Sequence, residues 1–521
     1  MLSTGAEPHP QVNPWIVAIA VMFATFMEVL DTTVVNVSLP HIAGSLSASV
    51  DEAAWALTSY LVANAVILPM TGWLASFFGR KRTLMAAVMG FTVASFACGL
   101  APNLGMLIFF RIIQGATGGA LQPLSQAVML EAFPPQDRGK AMAFWGLGIV
   151  VAPMLGPVIG GWLTDNYSWR WVFYINLPVG LASLFMTRWF IFDPPYLRRV
   201  HRGIDYWGIG MLALGVGALQ MVLDKGQEED WFESHWIALL AAVAATALIV
   251  FVIHEWRTRD PVVHLRVFKN RTYAAGVFLM TVLGFVLYAS LLLVPVFLQT
   301  LLGYPALAAG IAMAPRGLGS FLMMPVVGTV LGRFDPRKVL GVGICGAAWT
   351  LYALSRLNLQ AGYWDIFWPQ FVQGVSLAMI FVPLTTATMD PIPREEMGNA
   401  TSMFNLMRNL GGSFGIAGAT TYLFRRQQFH THLLGADVNP FNPQVQQVRQ
   451  GIETAMIAHG ADPVTAVRQS YVSLWGMVQR QASMVSFVDT FLVMAVVFLL
   501  VLPLLLAMKR PKHQGTGMPG H

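Results

Sequence analysis

The chain has 521 residues, 55% of them hydrophobic and only 11% charged, with a formal net charge of +6. Soluble domains carry about 25% charged residues, so this composition excludes a soluble enzyme or binding module and marks an integral membrane protein. In such a chain Lys and Arg report loop topology before nucleic-acid affinity, and no nucleic-acid partner is expected.

Taken in order, windows of about 20 apolar residues predict an all-α bundle of fourteen transmembrane helices, near 15–39, 53–76, 83–100, 104–129, 141–163, 171–192, 205–223, 235–256, 273–299, 306–332, 338–355, 364–388, 398–423 and 487–508. The first run is too long for a signal-peptide core and contains acids, so no cleaved signal is expected. With the N-terminus inside, most basic residues fall in inner loops or the tail: Arg80, Lys81 and Arg82; Arg138 and Lys140; Arg188, Arg198, Arg199 and Arg202; Arg257, Arg259, Arg266, Lys269 and Arg271; Arg333, Arg337 and Lys338; Arg394; and Lys509, Arg510 and Lys512. That is the bias of cytoplasmic loops. An odd number of spans would scramble it, so both termini are expected in the cytoplasm. Cys98 and Cys345 lie in apolar segments, which supports neither a disulfide framework nor a thiol site.

The first span, with its flank, reads WIVAIAVMFATFMEVLDTTVVNVSLP and carries Glu28 and Asp31. An ionised carboxylate near a bilayer centre costs at least several kcal/mol, and two acids three residues apart share one helix face. They are either a proton or cation site or a structural pair satisfied by neighbours. Arg111, in the fourth span, lies roughly 12 Å below Asn103, and Asp31 about 13 Å below Pro40, at 1.5 Å per residue. The depths agree, so a pairing is geometrically allowed; Glu28 lies deeper, where a cationic substrate could compete for it.

Internal repeats set the architecture. Pro69, Gly72, Lys81 and Arg82 recur 256 residues on as Pro325, Gly328, Arg337 and Lys338. Gln114 and Gly115 recur at an offset of 259 as Gln373 and Gly374, and Gly139 and Gly156 as Gly398 and Gly415. Duplicated bundles of this kind place their site at the repeat interface. The expected division is an N-terminal six-helix half over 1–204, two inserted helices over 205–256, and a C-terminal six-helix half over 257–521 with a long outer loop at 424–486. Arg111 and Pro157 map onto Gln370 and Ile416, so the coupling chemistry is expected in the first half.

Several stretches carry a family resemblance. GWLASFFGRKR, from Gly72 through Gly79, Arg80 and Lys81 to Arg82, resembles motif A of the major facilitator superfamily; RIIQGATGG, from Arg111, resembles motif B. GIVVAPMLGPVIGG, containing Gly148, Pro153, Gly156, Pro157 and Gly160, resembles the antiporter motif C. LDTTVVNVSLP and WRWVFYINLPVG are similar to signatures of the fourteen-span drug:proton antiporter branch, EmrB/QacA type, closest to EmrB-like multidrug efflux pumps. The motif A position usually held by an acid is Ser76 here. The resemblance covers essentially the whole chain. It implies a proton-coupled antiporter in a bacterial inner membrane, with a gating role for motif A, a leak seal at motif C, and no cofactor beyond the proton. It also implies a periplasmic adaptor (membrane fusion) protein and an outer-membrane channel as partners, completing a tripartite pump.

The residues themselves give a proton site at Asp31, Glu28 and Arg111. A cavity for hydrophobic small molecules is expected among Tyr60, Asn64, Gln114, Gln122, Gln126, Phe285, Tyr288, Gln370, Gln373, Asn405 and Met407, each of which could equally be helix–helix glue. Arg316 and Arg408 also lie within spans and could meet anionic substrates. His430 and His432 read as part of a solvated loop rather than a metal pair, and no metal is expected. Asp462-Pro463 reads as an N-cap and first helical residue opening an amphipathic segment toward Met484. No GxxxxGK[ST] loop is present, and no cluster of His, Asp or Cys suggests an enzyme. The alternatives to multidrug export are a dedicated exporter of one compound, such as a fatty acid, siderophore or bile salt, and a non-transport sensor or scaffold.

Overall fold

The protein is described by a computed structural model that covers residues 12–193, 204–258, 260–331, 334–436, 438–439 and 441–508. Arg198, Arg199, Arg202, Arg259, Arg333, Lys509, Arg510 and Lys512, and the expected position of both termini, lie outside the described residues.

The described residues form helices joined by short turns. The N-terminal half comprises α1 (Pro14–Ser45), α2 (Val50–Phe78), α3 (Arg80–Leu100), α4 (Leu104–Gly118), α5 (Leu121–Ala132), α6 (Arg138–Asn166), α7 (Trp171–Tyr174) and α8 (Asn176–Phe190). The inserted pair is α9 (Tyr206–Lys225) and α10 (His235–Arg257). The C-terminal half comprises α11 (Arg271–Thr300), α12 (Ala306–Val330), α13 (Pro336–Leu354), α14 (Tyr363–Met389), α15 (Met397–Ala436), α16 (Pro443–Ala458) and α17 (Pro463–Leu500). Their starts are written locally. Asn13, Asn103, Asp335, Asn442 and Asp462 each turn a side-chain oxygen onto a first-turn amide, and Ser49 with Glu52 forms a capping box.

Packing repeats between the halves. α1 lies on α6 as α11 lies on α15; α2 and α3 flank α4 as α12 and α13 flank α14. α3 packs on α8 as α13 packs on α17. The halves meet along α6 with α12 and α2 with α15, and α9 covers α2 and α15 from the side. The architecture is therefore two pseudo-repeated six-helix bundles plus two inserted helices.

Eleven of the described helices, α4 and α5 counted as one, are long and apolar enough to cross a membrane. α8, α13 and α15 occupy the remaining expected places but fall short of that measure, so the pattern is consistent with fourteen crossings. Local chemistry explains where helices depart from the expected spans. The fourth span breaks between Gly118 and Leu121, because Pro123 has no N–H for the Gly119 carbonyl. The sixth breaks at Ile175, where Pro178 likewise has no N–H for the Tyr174 carbonyl. The first span runs past its expected end, through Pro40, to Ser45.

The largest difference lies at 424–486, expected as a loop. α15 continues to Ala436 and α17 begins at Pro463, so the two last spans extend past their expected ends as an antiparallel helix pair with α16 laid on α17. The extension carries too many polar residues to register as a span, which is why hydropathy alone reads it as loop. Asp462 caps α17 as its sequence position suggests. His430 is not solvated: it is buried on α15, and its Nε2 lies 2.9 Å from Asp489 of α17, which Arg426 also holds at 2.6 Å.

Candidate functional site

Glu28 and Asp31 both turn inward from α1 and meet different partners. Asp31 and Arg111 are fully buried, with Nη1 of Arg111 2.6 Å from Oδ2 of Asp31. Gln114, one turn along α4, donates Nε2 to Oδ1 of Asp31 at 2.9 Å, and its own Oε1 accepts from Arg111 at 2.8 Å. Asn176 donates to the same Oδ1 at 2.7 Å and to Ser95 Oγ at 3.0 Å. Arg111 Nε donates to the Ala56 carbonyl at 3.0 Å, and the Tyr60 ring lies over the guanidinium with its centroid 4.1 Å from Cζ. The break at Ile175 matters here, because it leaves Asn176 at the start of α8, pointing into the bundle.

Glu28 is 5% exposed. Asn64 of α2 donates to its Oε1 at 3.1 Å, and Gln122 of α5 donates to its Oε2. The Oε1 of Gln122 accepts from Arg408 of α15, so a side chain of the opposite half joins the Glu28 network through one amide. A second amide contact across the halves lies nearby on the same helices, where Asn405 donates to Gln126.

The remaining candidates divide. Gln370 and Gln373 accept from Arg316 at 3.0 and 2.6 Å. Phe285, Tyr288 and Met407 are half-buried. Asn64, Gln114 and Gln122 bond the two acids directly, and Tyr60 stacks on Arg111. Sequence reasoning missed Asn176 as a third donor to Asp31; its signal was a lone amide inside the apolar WRWVFYINLPVG stretch.

Motif A lies where the halves touch at the basic end. Gly79 ends α2 with φ +95°, a conformation that only glycine takes without strain. Gly72 of α2 meets Gly398 and Asn399 of α15 so closely that a Cβ there would sit 2.7 Å from the Asn399 backbone. Its repeat counterpart Gly328 makes the matching contact with Gly139 and Lys140 of α6. Ser76 only caps its own turn, donating to the Trp73 carbonyl. Acids from elsewhere serve the basic cluster: Glu131 of α5 pairs with Arg80, and Asp193 accepts from the Lys81 amide at 2.8 Å. Lys81 Nζ donates to the Arg188 carbonyl at 2.6 Å. In motif C, Gly148, Gly156 and Gly160 all face α1, with Met22, Thr33 and Val34 against them, and α6 runs unbroken through Pro153 and Pro157.

A model of the Major Facilitator Superfamily matches residues 21–416. The chain belongs to that superfamily. The multidrug export protein EmrB of Haemophilus influenzae (strain ATCC 51907 / DSM 11121 / KW20 / Rd) is 42% identical over 430 residues, which cover 82% of this chain and 84% of the relative. The fatty acid resistance protein FarB of Neisseria gonorrhoeae is 36% identical over 97% of both chains. Among solved structures, the superfamily's proton:xylose symporter XylE superposes with a TM-score of 0.57, covering 93% of this chain and 94% of that one at 14% identity. At that identity the likeness speaks to the superfamily fold alone.

Proposed function

We propose that this chain is a proton-coupled antiporter that exports hydrophobic drugs and other toxic small molecules by alternating access. The observation that carries the reading is the buried Asp31–Arg111 pair with Glu28 one turn away, because acids this deep persist only where they are paired or used. Arg111 and Gln114 of α4 and Asn176 of α8 hold the Asp31 carboxylate from two neighbouring helices. A change in the packing of α1 against α4 and α8 therefore makes or breaks the contacts of that carboxylate. Glu28 senses the other half through Gln122 and Arg408, so its protonation and the approach of the halves are coupled. Moving one proton through about 100 mV supplies about 2.3 kcal/mol, a concentration ratio of roughly fifty-fold.

The membrane is the bacterial inner membrane, with both termini cytoplasmic, and the chain is the inner part of a tripartite pump. The outward α15–α17 pair, with Phe424, Thr431, His432 and Trp475 lining a groove between its helices, presents a surface for a periplasmic adaptor that leads to an outer-membrane channel. No cofactor takes part beyond the proton. The kinship with a fatty acid resistance protein supports a second reading, dedicated export of one amphipathic compound.

In proteoliposomes with an imposed pH gradient, Asp31→Asn abolishes proton-driven efflux while the protein remains inserted; full efflux by that variant overturns the coupling assignment. Deleting most of 440–480 impairs export across the outer membrane more than drug binding, and an unchanged resistance phenotype argues against adaptor docking there.

A further inference from the structure

The two halves contain the same buried construction with different chemistry. Gln114 donates to Asp31 in the first half; its counterpart Gln373 donates at 3.3 Å to Ser290, which stands 259 residues after Asp31. Arg111 is matched at the same offset by Gln370. Tyr60, whose ring covers Arg111, is matched 256 residues on by Arg316, which bonds Gln370 and Gln373. The backbones correspond as well: Gly115 packs on the Tyr60 carbonyl and Gly374 on the Arg316 carbonyl.

Between the halves, the guanidinium has thus moved to another helix and the carboxylate has become a hydroxyl. Arg316 is 2% exposed, and among the described residues its partners are two amide oxygens and its Nη1 has no hydrogen-bond partner. Amide oxygens supply only partial charge, so a buried guanidinium without an anion is an unfavourable arrangement that a bound anion would relieve. A planar guanidinium with a free edge suits a carboxylate, which it can hold through charge-assisted hydrogen bonds. Phe285, Tyr288 and Met407 of the same half leave apolar surface partly uncovered.

We infer that Arg316 is the recognition site for the anionic group of an amphipathic cargo, a carboxylate on an apolar body that takes in the C-terminal half the place Asp31 fills in the N-terminal half. This rests on the export reading above and names its substrate class. Expelling an anion from a cell that is negative inside is also favoured by the membrane potential.

The test is equilibrium binding of radiolabelled decanoate to the full-length protein in nanodiscs, with decanamide as the neutral competitor, at a mildly alkaline pH where decanoate is ionised. Wild type binds decanoate at least about tenfold more tightly than decanamide; Arg316→Lys keeps part of that preference and Arg316→Gln loses it. Arg316→Gln melts no lower than wild type, because it removes a charge without a counter-ion. Should Arg316→Gln fail to fold, Ser290→Asp tests the same point: a built-in carboxylate raises the melting temperature and weakens decanoate binding about tenfold. Equal binding of both ligands by wild type, or an unchanged preference in Arg316→Gln or Ser290→Asp, overturns the assignment. Binding is read without transport, so charge-selective binding without proton-driven efflux would sink the antiport reading and leave the anion site standing.

Discussion

Glu28 and Arg408 sit on opposite halves of the protein and are held by the same side-chain amide. Gln122 donates to Glu28 through Nε2 and accepts from Arg408 through Oε1. An amide in that position transmits the charge state of Glu28 to the seam between the halves, because losing either bond leaves a buried group unsatisfied. Among the described residues two nitrogens of Arg408 have no partner, and beside this bond Asn405 of α15 donates to Gln126 of α5 across the same seam.

Gln122→Ala is therefore expected to lower stability by about 1–3 kcal/mol, the cost of orphaning a buried polar group. Glu28→Gln keeps an acceptor for Gln122 and should cost less. Thermal melting in detergent compares the two, and a smaller loss for Gln122→Ala than for Glu28→Gln would contradict the bridging role.

Breaking the Asp31–Arg111 pair from one side leaves a buried charge alone, which typically costs about 3–5 kcal/mol. Removing both charges costs less than the sum of the single changes. A double-mutant cycle with Asp31→Asn and Arg111→Gln, read by denaturation, should return a coupling energy of about 1–3 kcal/mol. Additive effects would mean that Gln114 and Asn176, rather than Arg111, satisfy the carboxylate.

Gly72→Val places a side chain into the Asn399 backbone, and overpacking of this kind costs about 1–3 kcal/mol. The strain exists only while the halves touch at the basic end, so the population shifts away from that contact by roughly thirty-fold for about 2 kcal/mol. Spin labels at positions 76 and 396 should move apart, and efflux should fall. Gly328→Val should act alike through α6, since it makes the pseudo-symmetric contact with Gly139; a silent Gly328→Val would contradict the matched roles of the two seams.

The basic cluster of motif A is served by Glu131 rather than by residue 76. Glu131→Gln leaves the buried Arg80 without its carboxylate and is expected to destabilise by several kcal/mol. Ser76 is exposed, so Ser76→Asp should change stability by no more than about 0.5 kcal/mol. The reverse order of effects in chemical denaturation would show that position 76 keeps the role its motif suggests.

Much of the fold is legible along the chain because the bilayer acts on it locally. Twenty-residue apolar windows and the offsets of 256 and 259 mark where the long apolar helices lie and that the bundle is doubled. Glu28 and Asp31 stand out for the same reason, since each is anomalous in its own window. Depth along a helix follows from rise per residue, which is why Arg111 could be matched to Asp31 from sequence. Which side chains meet depends on the rotation of each helix about its axis and on which helices become neighbours, and neither is written in hydropathy. The tertiary structure alone brings Asn176 to Asp31, hangs Glu28 and Arg408 on Gln122, and supplies Glu131 to Arg80. It also makes most of the described residues of 424–486 helical, because there the stabilising contacts come from a neighbouring helix rather than from lipid.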